Sequence, residues 1–105
     1  MTDFLAEWAA SATRIETQKR RLEALRFLAK IPGYRASASL IRHECHRLGV
    51  PTTSDQMIGA LTWLDENDLV ALEGVEDAIV ARLTPLGRDV ASGQKLYPGV
   101  LRPDP

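Results

Sequence analysis

Leu5, Trp8, Ala12, Ile15, Leu22, Leu25 and Ala29 recur at steps of three and four, broken only where Lys19 interrupts. This spacing predicts one long helix or two nearly collinear ones, begun by Thr2 and Asp3 as capping side chains. Ile31-Pro32-Gly33 stops it, because proline disfavours a helical residue before it and glycine permits the turn. A second helix is predicted from about Ser37 to Leu48, with Gly49 as its C-cap and Pro51 beyond. Its wheel puts Ala38, Ile41, Cys45 and Leu48 on one face, with Ser39, His43 and His46 opposite.

The third helix is expected after Thr53, whose hydroxyl accepts from the backbone near Gln56 while Gln56 reaches back, a capping box. Met57, Ile58, Leu61 and Leu64 make its apolar stripe, and Asp55, Gly59, Trp63 and Glu66 point away. Leu69 to Leu72 and Ile79 to Leu83, β-rich runs around a glycine-containing connection, predict a hairpin. Thr84 caps a last short helix with Pro85 at its first position and Gly93 at its end. Beyond it, Pro98, Pro103 and Pro105 keep the chain extended unless something docks Leu96, Tyr97, Val100 and Leu101. The expected core is Ile41, Cys45, Leu48, Ile58, Leu61, Leu64, Leu69, Ile79 and Leu83.

At 105 residues and 45% hydrophobic, the sequence suits one core. The organisation expected is an N-terminal helical arm (1–16), one domain (17–93) and a proline-rich tail (94–105). No basic segment precedes an apolar run at the N-terminus and no stretch reaches membrane-spanning length, which predicts a cytoplasmic protein without membrane contact. The single cysteine, Cys45, excludes an internal disulfide and a multi-cysteine zinc site.

Charge changes the picture more than composition does. Between Arg14 and Arg47 nine Lys or Arg face three Glu, a net of +6, and between Leu48 and Ala81 seven acids stand without a cation, a net of -7. The positive half offers phosphate contacts, and the negative half suits a basic partner.

The run LRFLAKIPGYRASASLIRHECHRLGVPTTSDQMIGALTWLDENDLV followed by RLTPLGRDVASG resembles the winged helix-turn-helix superfamily, including its ArsR-, MarR- and PadR-like members. It also resembles a family of small ArsR-like proteins of Mu-like phages and prophages. The fold implied is mainly α with a small β-hairpin, a winged helix-turn-helix carrying an N-terminal helical arm. The function implied is a homodimeric transcriptional regulator binding duplex DNA, its third helix in the major groove and its hairpin on the backbone. Carried across, that reading places base or groove contacts at Thr52, Thr53, Ser54, Asp55, Gln56, Gly59 and Thr62, with wing contacts from Glu73 to Asp77.

The DNA-contact set expected is thus Lys19, Arg20, Arg21, Arg35, Arg42, Thr53, Ser54 and Gln56, with Arg26 and Arg47 in the same basic cluster. Long basic side chains covering apolar surface are the alternative reading of that cluster. An acidic third helix and wing do not attract phosphates, so a second function stands beside the first: a protein-interaction module, an accessory to phage assembly or packaging, that takes a basic protein partner through Asp55, Gly59, Trp63, Glu66, Glu76 and Asp77. Trp63 either anchors that partner or lies against the hairpin or tail. Phe4, Leu5, Trp8, Ala12 and Ile15 are the expected dimerisation residues, since a minimal core has no room for them.

His43-Glu44-Cys45-His46 places the cysteine and the histidines on different faces, so no metal or other cofactor is expected. No phosphate loop, activated nucleophile or divided pair of carboxylates is present, and no catalytic residue is expected.

Overall fold

α1 (Thr2–Lys30) is a single unbroken helix in a computed structural model that describes residues 2–74 and 78–104. Leu22, Ala24, Leu25 and Leu28 are buried in its second half. It ends where the sequence requires: Pro32–Tyr34 form a single 3-10 turn, with Gly33 at φ 81° and Tyr34 at φ 58°.

Three residues then form β1 (Arg35–Ser37), which the sequence pattern did not announce. β1 pairs antiparallel with β3 (Val80–Leu83), Arg35 opposite Arg82, and β3 pairs in turn with β2 (Val70–Glu73), Val70 opposite Leu83. The sheet order is β1-β3-β2, so the hairpin gains a third strand from a segment more than forty residues upstream.

Ser37 caps α2 (Ala38–Arg47), accepting from the Leu40 N–H. The cap at its other end is Leu48, with Gly49 immediately after at φ 84° and Val50 donating back to the Cys45 carbonyl at 2.8 Å. α3 (Ser54–Glu66) starts with the complete capping box: Gln56 N–H to Thr53 Oγ1 at 3.1 Å, and Thr53 N–H to Gln56 Oε1 at 2.9 Å. α4 (Pro85–Ser92) is capped by Thr84, whose hydroxyl also donates to the Asp68 carbonyl at 2.7 Å. Gly87 lets α4 press onto the start of β2, because a Cβ there would lie 2.1 Å from the Leu69 carbonyl oxygen.

α2, α3, α4 and the sheet enclose the second half of α1 around one core containing Ile41, Cys45, Met57, Leu61, Leu64, Leu69, Ala81, Leu83 and Val90. Three expected core residues differ. Leu48 and Ile58 are each 39% exposed, and Ile79 is half-buried. Leu48 lies past the last turn of α2, where φ and ψ leave the helix and the wheel ceases to apply. Ile58 lies on the flank of a stripe centred on Met57, Ala60, Leu61 and Leu64, and Ile79 precedes β3 rather than belonging to it.

Val100 is buried and Tyr97 and Leu101 pack against the core, so most of the tail's apolar residues are docked, while Leu96 stays exposed. Among the described residues, no helix is long and apolar enough to cross a membrane.

Candidate functional site

The connection between α2 and α3 converges on Thr52, a buried polar residue. Its hydroxyl donates to the Val50 carbonyl at 2.8 Å and accepts from Arg20 Nε at 2.9 Å. Its carbonyl accepts from Arg42 Nε at 2.9 Å, and His46 Nε2 lies at the same distance from that oxygen. Arg20 also donates to the Pro51 carbonyl at 3.1 Å and pairs with Glu16 at 2.9 Å. With 4% of its surface exposed, Arg20 is an internal strut between α1 and the α2–α3 connection rather than a surface cation.

Above this strut opens a cleft of about 430 Å³ lined by Glu16, Arg42, His46, Pro51, Thr52, Thr53, Ser54 and Gln56. Of the sequence-predicted DNA-contact residues, the structure therefore groups Arg42, Thr53, Ser54 and Gln56 and places Arg20 beneath them. Thr53 and Gln56 are already engaged with each other in the cap.

The other three predicted cations lie elsewhere. Lys19 sits 3.8 Å from Glu23 on α1. Arg35 pairs with Glu73 across the sheet, and Arg82 donates to the second oxygen of the same carboxylate at 3.2 Å. Arg21 is clamped between α3 and the tail: Nη1 donates to the Gly99 carbonyl at 2.9 Å, and the guanidinium carbon stands 3.9 Å from the centre of the Trp63 ring. Burial, reinforced by neighbouring Arg20, lowers the Arg21 pKa from its ordinary value. Its Nε is buried without a hydrogen-bond partner, so the aromatic face and the single carbonyl offset that desolvation.

Trp63 consequently lies against the tail rather than standing free. Tyr97 meets it edge-on at 6.0 Å between ring centres and donates to Asn67 Oδ1 at 2.7 Å. Gly99, at φ 96°, passes so near the indole that a Cβ would fall 2.6 Å from Cζ2. Of the residues expected to meet a protein partner, Asp55, Gly59 and Glu66 remain on the exposed face of α3, and Ile58 and Thr62 join them there. Space above Gly59 is open. This face has an apolar and small-residue centre with a carboxylate near each end, and α3 carries no Lys or Arg. Glu76 and Asp77 lie outside the described residues.

Cys45 is buried, and that burial pushes its thiol up to about 11. His43 is exposed, and His46 points into the α2–α3 connection, so the three potential ligands of this run diverge. Glu44 bonds to Arg47, which holds its carboxyl below the usual range. Among the described residues, no group of three or more His, Cys, Asp or Glu is placed to hold a metal ion.

The expected dimerisation residues Phe4, Leu5, Trp8, Ala12 and Ile15 are all exposed, the first three at 69%, 65% and 66%. Sequence reasoning found this arm, and its reading of Trp63 as lying against the hairpin or tail agrees with the contacts to Tyr97 and Gly99, but it missed the part of Arg21 in that clasp. An arginine and a tryptophan distant in sequence gave no local sign that they would meet.

No family model matches the chain. It is 35% identical over 91 residues to the uncharacterized protein gp26 of Escherichia phage Mu, spanning 87% of this chain and 94% of the Mu protein. At that identity and coverage, the chain belongs to the family of this phage protein.

Proposed function

We propose that this member of the gp26 family is a winged-helix interaction module of Mu-like phages. It works as a homodimer and offers the acidic face of α3 to a basic protein partner during particle assembly or packaging. The order of helix, helix, turn, helix, hairpin and helix, with β1 completing the sheet, supports the winged-helix reading. In DNA-reading members of that superfamily, the helix in the position of α3 enters the major groove while Lys and Arg neutralise phosphates.

The observation that carries the proposal is the engagement of the cations nearest α3. Arg20 is buried under Thr52 and Arg42 is tied to the Thr52 carbonyl, while Asp55 and Glu66 face outward. An acidic helix face is repelled by a phosphate backbone and attracted by basic side chains. The test is duplex binding measured across a salt series. Native protein is expected to show no saturable binding at low salt, and Asp55→Lys with Glu66→Lys is expected to create salt-sensitive binding. Tight, sequence-selective binding by native protein would overturn the proposal.

That result would favour a second reading, a dimeric DNA-binding transcriptional regulator. The grouping of Arg42, Ser54 and Gln56 at the start of α3 favours it, because the Gln56 amide keeps its N–H donors free while its oxygen serves the cap. On that reading, Arg42→Ala reduces the salt slope by about one unit.

A further inference from the structure

The line of α1 that carries the arm's exposed stripe is covered at Leu22, where the body begins, and reopens at half-buried Arg26 and Ala29. Phe4, Trp8, Ser11, Ile15, Leu22, Arg26 and Ala29 lie on one line of α1 at steps of three and four or their sum. At its far end, Arg26 and Ala29 form one wall of an open cleft of about 500 Å³ between α1 and α4, whose other lining residues include Lys30, Arg88 and Ala91. Arg26, Lys30 and Arg88 outnumber Asp89, so the cleft is basic. The arm tip is acidic, with Asp3 and Glu7 beside Phe4 and Trp8.

We propose that two copies pair antiparallel along α1, each arm tip filling the α1–α4 cleft of the other. This deepens the dimer reading above and rests on it. A two-fold axis across the middle of α1 sets Asp3 near the partner's Lys30, Phe4 near the partner's Ala29 and Glu7 near the partner's Arg26. Arg26 already shares Glu23 at 3.4 Å, and its planar fork has further donors for a second carboxylate.

Size agrees with charge. Phe4, Leu5, Trp8 and Ile15 are 69%, 65%, 66% and 54% exposed. Together they offer roughly 500 Å² per copy, and with the cleft walls a symmetric pair reaches the range of about 1,200–2,000 Å² seen in specific interfaces. A parallel pairing would instead set Asp3 and Glu7 against their own copies and leave both clefts open.

The experiment measures the dimer dissociation constant of the full chain by sedimentation equilibrium. Glu7→Arg and Arg26→Glu are each expected to weaken the dimer at least severalfold, and the double variant to recover most of the loss. Phe4→Cys mixed with Ala29→Cys is expected to give disulfide-linked heterodimers under mild oxidation, because one chain holds these positions too far apart along a rigid helix. Native protein that stays monomeric at high concentration would overturn both the dimer reading and the arm exchange. A native dimer that the charge reversal does not restore, or that cross-links Phe4→Cys to itself, would overturn the arm exchange alone.

Discussion

From Arg20 to Leu28, α1 is enclosed by other elements, with Leu25 and Leu28 wholly buried; from Asp3 to Glu16 the same helix is exposed at every position except half-buried Ser11. Both halves carry large apolar side chains. What separates them is what surrounds them. The enclosed half is stabilised by packing, whereas the arm is sustained by alanines at 6, 9, 10 and 12 and by continuity with a helix already nucleated. Apolar periodicity therefore identifies the helix without saying which stretch of it belongs to the core.

The sharpest way to break that comparison is to truncate one side chain in each half. Leu25→Ala should cost about 2–5 kcal/mol in urea unfolding with little change in slope; a loss under about 1 kcal/mol would mean the enclosed half is not the core.

The next effect comes from pH and should be blind to the arm. Burial raises the Cys45 thiol from 9.0 to about 11, so the unfolded thiol ionises first and unfolding releases a proton between those values. Stability is then complete below about pH 9 and falls by roughly 2–3 kcal/mol as pH rises towards 11. Subtracting the urea curves of Cys45→Ala isolates this contribution. It should be equal in the full chain and in one lacking residues 1–12; a difference would show that the arm reaches α2.

Thr53→Ala removes one half of the capping box and should cost about 1 kcal/mol, read as a lower unfolding midpoint with the dimer constant unchanged. The smallest effect belongs to the arm. Leu5→Ala with Trp8→Ala should shift the stability of dilute, monomeric protein by less than about 0.5 kcal/mol. A larger loss would mean that the arm folds back onto its own body.

Features set by neighbouring residues were legible in the sequence. The Thr53–Gln56 cap, the Pro85 start of α4 and the Ile31-Pro32-Gly33 stop all follow from side chains within a turn of each other. β1 was hidden because Arg35-Ala36-Ser37 has no pattern of its own and becomes a strand only beside Arg82, Ala81 and Val80. Charge was misleading for a similar reason. Arg20, Arg21 and Arg35 read as a basic face, yet Thr52, Gly99 and Glu73 engage them from remote parts of the chain. The acidic face of α3 was legible because helical spacing alone aligns Asp55, Gly59 and Glu66.

The clasp on Trp63 bears on the order of folding. Arg21 and Gly99 are separated by 78 positions, and the Leu101 N–H reaches the Gln18 carbonyl at 3.2 Å across a similar gap. Closing so long a loop is entropically costly and rewards the chain only after α1 and α3 have come together. In a stopped-flow refolding trace of protein dilute enough to be monomeric, helix formation should therefore precede the change in indole emission, with solvent-facing Trp8 supplying a steady background against which the late arrival of the tail at Trp63 is timed.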